Sequence, residues 1–434
     1  MKQSICTKCT NQISINDNDK FVACSKCFSY QEVTENGLTF LSSFKNSNRP
    51  KEVCFELRQN IKILGTSYTI TGITQRNDAT YKSFKWREYN LKGGINEDAF
   101  LNEYNGNWLL VKPLSEEPKT YLQGDTILDY QDTKFAVFQT YSQQIDWAIG
   151  NFDFDITDVD YLYSREFIAP PKMLIYEVQK SSNETNPEWY EGEYVNNNEI
   201  YQEYLCLGNS TTFPSKIGVG ATEPYKSLFY REDATKMSLI AFAIILIIQL
   251  YFMAVSPSRT VFQETFSLAD LKYDSVSTFH TTPKPFVSKS FTIEKTGKIE
   301  LELVSRVDNS WLESNITLIN ESTLEELPVV IANEYYHGVE GGESWTEGST
   351  SASKDYSSVP AGKYHLLIET LSPNIAGTYA VSLKTGGIYW TNIIILFCLF
   401  LIIPLIKYFQ ENNFEKERWA DSDFSPYITE EGEE

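Results

Sequence analysis

Met237 to Val255 reads MSLIAFAIILIIQLYFMAV, a run with no charge, interrupted only by Ser238 and Gln249. A helix rises about 1.5 Å per residue, so this run just crosses a hydrocarbon core of about 30 Å. A second run, Tyr389 to Ile406, reads YWTNIIILFCLFLIIPLI, with Tyr389 and Trp390 placed for an interfacial belt and Pro404 in its last turns. Charge-free runs of this length are rare in soluble core helices. They predict transmembrane helices at 237–255 and 389–407, with a head before them, a domain at 256–388 between them and an acidic tail at 408–434. Neither run carries an ionisable group, which argues against an ion path through one copy. A pore lined by Gln249 and Asn392 would require an oligomer.

The flanking cations set the expected orientation. Lys226, Arg231 and Lys236 precede the first run and only Arg259 follows it closely; Lys407, Lys416 and Arg418 follow the second. The positive-inside bias places both termini in the cytoplasm and 256–388 outside. Met1 to Lys20 is polar and lacks the apolar core of a signal peptide. The formal charge of −21 excludes a general nucleic-acid binder, which needs a basic face. Tyr 27 and Phe 26 favour β-rich domains over helical bundles.

Four of the seven cysteines crowd the opening, ICTKCTNQISINDNDKFVACSKCFSYQEV, where Cys6-x-x-Cys9 and Cys24-x-x-Cys27 are separated by a polar loop. Each pair forms a tight turn that points two thiolates at one place, and two such turns complete a tetrahedral four-sulfur site. The spacing predicts a zinc ribbon over 1–35 with Cys6, Cys9, Cys24 and Cys27 as ligands. Four thiolates leave no open position, so the expected Zn2+ is structural. So short a segment is expected to draw its folding free energy from the metal. A dithiol redox pair is the competing reading, and no βαβ pattern surrounds it. Cys54, Cys206 and Cys398 are isolated and 256–388 has none, so no disulfide framework is expected on either side.

From 53 to 207 the pattern alternates every second residue, which predicts a cytoplasmic β-rich domain. Strands are read at Ser67–Thr71, at Phe84–Leu91, at Trp108–Val111 and through the aromatic stretch from Phe135 past Trp147 to Phe154. A short helix, 199–204, is expected behind an Asn198 cap. Residues 208–236, opening with a Gly-, Ser- and Thr-rich stretch, read as a linker. The runs ILGTSYTITGITQ, WREYNL, GNWLLV, DWAIGNFDFDI, FIAPPKMLIYE and EWYEGEYVNNNEIYQEYL resemble, in order, the bacterial domain of unknown function 4178 family. The strand Trp86-Arg87-Glu88-Tyr89, the Pro170-Pro171 segment with Glu177, and a Glu191-Gly192-Glu193 turn carry the resemblance. It accounts for a zinc-binding head and implies membrane association in a bacterial inner membrane. It also implies company with envelope-stress gene sets, including coat-like phage-shock proteins. The family brings no established activity with it.

Arg87 and Glu88 are strand neighbours and face opposite ways, so they cannot build one site together. Arg87 reads as half of a cross-strand ion pair rather than an anion contact, and Pro170-Pro171 as a rigid edge or turn. In 256–388, Val359–Ile368 and Gly377–Leu383 are similar to pre-peptidase C-terminal jelly-roll domains, and short alternating strands independently predict a β-sandwich. The three histidines, His280, His337 and His365, fit no H-E-x-x-H motif, and no nucleophile elbow or phosphate loop is present. The acidic stretch Glu340–Glu347, with Trp345, reads as a solvated loop. The fold class expected is therefore a membrane protein with mainly-β domains: a zinc ribbon, a cytoplasmic β domain, and two transmembrane helices flanking a β-sandwich. The function expected is that of a non-enzymatic adaptor or sensor, with the lipid bilayer and a cytoplasmic protein as partners and no nucleic acid. The alternatives are an enzyme using carboxylates such as Glu188, Glu191 and Glu193, and a channel subunit.

Overall fold

The computed structural model describes residues 2–93, 98–118, 121, 124–159, 162–179, 187–208, 212–270, 273–274, 282–283, 285–373 and 377–427. They form two units, one of Met1–Tyr230 with Lys407–Glu434 and the other of Arg231–Ile406.

The first unit begins with strands β1 (Lys2–Ile5), β2 (Gln12–Ile15), β3 (Phe21–Ala23), β4 (Ser29–Thr34) and β5 (Gly37–Ser43). There follow β6 (Asn60–Ile63), β7 (Thr66–Asp78), β8 (Lys85–Lys92), β9 (Asp98–Tyr104), β10 (Asn107–Pro113) and β11 (Ile127–Tyr130). The set ends with β12 (Thr133–Phe152), β13 (Leu162–Ala169), β14 (Lys172–Gln179), β15 (Glu188–Val195) and helix α1 (Asn197–Cys206). Antiparallel pairing runs β7-β8-β9-β10-β15-β14-β13-β12 and returns from β12 to β7, which closes a barrel of eight strands. Closure removes the unpaired edges that would invite association. β12 can serve both sides because it is long: Ala136–Gln143 pairs with β13 and Gln144–Gly150 with β7.

Alternation along β8 explains why both of its faces are buried. Trp86, Glu88 and Asn90 line the interior. Tyr89 and Leu91 instead join an outer core with Cys54, Phe55, Ile61, Trp108, Trp147, Ile200 and Tyr204. Helix α1 covers the edge strand β6: Glu203 accepts from the Lys62 N–H at 2.9 Å and Glu199 from the Leu64 N–H at 2.8 Å.

Several expected boundaries shift. The ribbon is not a free-standing domain, since β3 pairs with Gly150–Phe152 and Asn151 donates to the Ser14 carbonyl at 2.8 Å. It also has a small core of its own, Ile13, Ile15 and Val22 packed around the cysteines, so metal is not its sole support. The helix cap is Asn196, whose side chain accepts from the Asn198 N–H; Asn198 lies inside the helix. Glu191-Gly192-Glu193 is mid-strand, with Gly192 paired to Val111 and Met173, and not a turn. The linker is held down: Phe213 stacks on Trp108 at 6.1 Å, the Ile217 N–H reaches the Asn105 carbonyl at 2.9 Å, and Ala221 packs near Phe138. The tail is not loose acid either. Its Arg418 donates to the Ala221 carbonyl at 2.9 Å, Trp419 lies 5.4 Å from the Phe138 ring, and Ser422 bonds the Phe138 carbonyl. That carbonyl sits where a bulge between Val137 and Gln139 breaks the ladder to β13, which is why the tail finds it available.

The second unit starts with α2 (Arg231–Val255). Strands β16 (Arg259–Ser267), β17 (Tyr273–Asp274), β18 (Thr282–Pro283), β19 (Phe286–Val287), β20 (Phe291–Ile293) and β21 (Gly297–Ser305) follow. They lead to β22 (Ser310–Asn320), β23 (Glu326–Glu340), β24 (Glu343–Ser349), β25 (Ser351–Val359), β26 (Gly362–Leu371) and β27 (Thr378–Thr385). Two sheets, β16-β27-β21-β25 and β19-β26-β22-β23-β24 with β20 on β26, share one core of alternating residues such as Leu301, Leu303, Leu312, Ile316, Leu366 and Val381. This is the sandwich expected. Asn333 stitches it, donating to the carbonyls of Leu303 and Thr350 at 3.1 and 2.9 Å. The acidic stretch is a β23–β24 hairpin turning at Gly341-Gly342, not a loop. Gly338 faces Trp345 so closely that a Cβ there would lie 2.9 Å from the indole.

Helix α3 (Trp390–Arg418) outruns the expected span by eleven residues beyond 407. Both α2 and α3 are long and apolar enough to cross a membrane, and 6 % of the most apolar window of each is buried. Phe242 and Phe397 meet at 5.0 Å.

Candidate functional site

Two places in the first unit gather chemistry. In the ribbon, each C-x-x-C turn closes the same way. Thr10 N–H bonds the Cys6 carbonyl at 3.1 Å and Phe28 N–H the Cys24 carbonyl at 2.9 Å, and Thr10 and Phe28 adopt φ of 57° and 58°. The matching turns bring the four sulfurs within 4.8 Å of one another, with Cys6–Cys27 at 3.6 Å and Cys9–Cys24 at 3.7 Å. These distances are too long for disulfides. A metal bound tetrahedrally by four sulfurs at about 2.3 Å would place them about 3.8 Å apart. The donor set therefore fits a four-thiolate ion, and Cys6, Cys9, Cys24 and Cys27 are brought together as the spacing predicts. Ser29 Oγ lies 3.3 Å from Cys6 and 3.2 Å from Cys27, and Gln31 Nε2 donates to Cys6 at 3.3 Å, an outer layer that orients the ligands. Burial pushes the Cys6 thiol up. Hydrogen bonds from Ser29, from the backbone at Cys9 and Lys8, and from Gln31 outweigh it and bring it down to about 6.

The second place is the barrel interior, a cavity of about 670 Å³ to which all eight strands contribute. Arg76 is buried and donates to Glu88 and to Gln143, each at 2.5 Å. Gln143 passes the chain on to Glu177 at 2.8 Å, and Ser164 also reaches Glu177 at 3.2 Å. Tyr141 donates to Glu166 at 2.8 Å. Arg76 is committed to Glu88, so among the described residues no cation is directly bonded to Glu166 or Glu177. Burial pushes both up to about 7, with the Glu177 charge adding to the rise at Glu166 and Arg76 offsetting part of it at Glu177. Burial also raises Glu88, and Arg76 works against it.

Sequence reading singled out neither Arg76, Gln143, Glu166 nor Glu177 as interior groups. The alternation that would have placed them inward was legible, but only closure of the barrel makes the face they share an interior. Arg87 forms the cross-strand ion pair expected, with Glu103 opposite it in register. Glu188 lines the cavity, whereas Glu191, three residues on, faces the other way and pairs with Lys172 at 2.5 Å. Glu188 and Glu191 therefore share no site. Pro170-Pro171 makes the turn between β13 and β14. In the second unit His337 meets Asp308 at 2.7 Å on an exposed surface and His365 is half-buried near Glu321. His280 lies outside the described residues.

A closed, polar-lined barrel fronted by a four-thiolate ribbon is the class of domain that the first unit defines. Residues 59–197, which span the strands from β6 to β15, match the family described as "Domain of unknown function (DUF4178)". The ribbon and the tail lie outside the matched stretch. A comparison with curated proteins finds no match. Among solved structures the chain is similar to infectious bursal disease virus strain Gt, at 10 % identity over 86 % of this chain and 70 % of that one, with a TM-score of 0.16. It is also similar to a carbohydrate-binding module of the β-sandwich superfamily, at 7 % identity over 64 % and 91 %, with a TM-score of 0.12. A third is the Cry4Aa toxin of Bacillus thuringiensis, at 8 % identity over 77 % and 54 %, with a TM-score of 0.15. TM-scores this low carry nothing over to this chain.

Proposed function

We propose that the chain is a two-span protein of a bacterial inner membrane, with both termini cytoplasmic. It serves as a non-enzymatic adaptor or sensor that joins an outer β-sandwich to a zinc-headed cytoplasmic barrel. The observation that carries the membrane reading is the exposed apolar surface of α2 and of the first part of α3, which water would not tolerate. The cation bias supports the orientation. Zn2+ is the ion that best suits four thiolates with tetrahedral spacing and no open position, and it acts as a structural ion here. The adaptor reading is supported by segments 212–222 and 415–424, which dock on the barrel and continue along the chain into the apolar helices; a module so tethered gains effective concentration for any partner on the same membrane. The partner suggested by family resemblance is a coat-like phage-shock protein involved in envelope stress.

The test is the distribution of that partner in cells with the full chain and in cells lacking residues 1–207. An unchanged membrane pool, together with an unchanged co-purified set, would overturn the adaptor reading. A second reading, an enzyme with a carboxylate site in the barrel, is favoured by one observation: burial raises Glu177, which lines the cavity, and Glu166, bonded to the cavity residue Tyr141, to about 7.

A further inference from the structure

The barrel cavity is lopsided in charge. Its wall holds seven carboxyls, on Asp19, Glu88, Asp98, Asp153, Asp155, Glu177 and Glu188, against the two cations Arg76 and Lys92. Both cations are spoken for, Arg76 by Glu88 and Lys92 by Asp98 and Asp153 at 2.6 and 2.7 Å. Low-dielectric walls of one sign focus potential into the space they enclose, and here that potential is negative. Glu177 has only the neutral donors Gln143 and Ser164 bonded to it among the described residues, and an ionised carboxyl so placed is costly unless it takes up a proton or a positive guest.

A second observation points to the guest. Asn90 is only 7 % exposed and lines the cavity, yet its Oδ1 has no hydrogen-bond partner among the described residues. Asn102 Oδ1, on the strand opposite Glu88, is in the same condition. Buried acceptors are rarely left unmet in native proteins, and each costs about 1–3 kcal/mol when they are. Both atoms are acceptors, so a group that meets them must donate. The aromatic wall of Trp86 and Tyr141, whose rings lie 5.3 Å apart, suits a cation as well. The volume falls within the range of small-molecule sites, about 300–1,000 Å³.

We propose that the barrel interior binds a small organic cation bearing N–H donors, of the amine or guanidine class, held by Glu177 and its neighbouring carboxyls with Asn90 Oδ1 as a further acceptor. The proposal does not depend on the membrane reading or on the adaptor's partner.

The test is calorimetric titration of the full chain in detergent at pH 7 with agmatine and putrescine, and with tetramethylammonium and malonate as controls. Either amine should bind saturably while malonate does not, and tetramethylammonium, which has no N–H, should bind at least tenfold more weakly. Glu177→Gln should weaken amine binding at least tenfold and Asn90→Ala severalfold. Glu191→Gln, on the outer face, should leave it unchanged. Protection of Cys54 from alkylation checks that each variant is folded. Should a variant fail that check, proton uptake or release by the wild type carries the test. Titration in two buffers of different ionisation heat should show net release of protons, because a bound cation drives neutral carboxyls to ionise. No saturable binding of either amine, malonate binding in their place, equal binding of tetramethylammonium, indifference to Glu177→Gln, or the absence of proton release would each overturn the proposal.

Discussion

Glu177→Gln should make the barrel more stable at alkaline pH and flatten its response to pH. The amide keeps an oxygen that can accept from Gln143 and Ser164 and removes a charge that burial disfavours. A carboxyl whose folded pKa is raised contributes stability below its unfolded pKa, near 4.5, and loses it as pH climbs through the folded value of about 7. At about 1.36 kcal/mol per pKa unit, the whole shift corresponds to roughly 3 kcal/mol, of which a little under half falls between pH 6 and pH 8. Glu166 shifts the same way, so the wild type should lose about 3 kcal/mol over that window and Glu177→Gln about half of it. Arg76, Glu88 and Glu188 also face the group; Arg76 is always charged, and Glu88 is tied to it. The chain has several cooperative parts, so a global melting curve would blur the effect. Cys54, fully buried in the outer core, reports this domain alone. Samples equilibrated in urea at pH 6, 7 and 8 are pulsed with an alkylating agent, and the Cys54 peptide is quantified against the unfolded chain at the same pH. The reasoning is refuted if the wild-type midpoint rises with pH across this range, or if Glu177→Gln leaves its slope unchanged.

Three further outcomes follow from the geometry. Elemental analysis should find one zinc per chain, and Cys24→Ser should lose it; because β3 is paired into the barrel and the ribbon has its own small core, Cys54 should stay protected after metal loss while residues 2–34 gain rapid hydrogen exchange. Trp419→Ala removes the ring against Phe138 and should lower barrel stability by about 1–3 kcal/mol in the same alkylation assay, less than for a fully buried tryptophan because this one is half-exposed; no change would mean that the tail does not support the barrel. Ser344→Cys, exposed on β24, should be labelled by an impermeant reagent in intact cells, and protection there would contradict the orientation.

Much of the architecture was legible from local pattern alone. The two apolar runs, the cysteine knuckles and the alternation at 67–71 and 84–91 each name their own element, because period and spacing are local properties. What was not legible depends on partners distant in sequence. The ribbon's attachment to Phe152, the seating of Trp419 on Phe138 and the closure of β12 onto β7 involve pairings that no window of sequence contains. Residues 212–222 look like a linker by composition because their contacts are scattered over Phe213, the Ile217 N–H and Ala221, without periodicity. The same limit hid Glu177: a glutamate in a strand looks like surface until the sheet curls around it.

The first unit is discontinuous along the chain, since residues 407–427 rejoin 2–230 only after the 231–406 segment has been made. During synthesis the barrel therefore waits with the bulge at Phe138 and the underside of Ala221 uncovered, until two apolar helices and a whole sandwich have emerged. Docking of Arg418 and Trp419 can occur only in a chain whose apolar segments have already been translated. In a chain broken off before 418 the bulge at Phe138 and the carbonyl of Ala221 would lack these partners, leaving apolar surface of the kind that makes incomplete folds prone to associate.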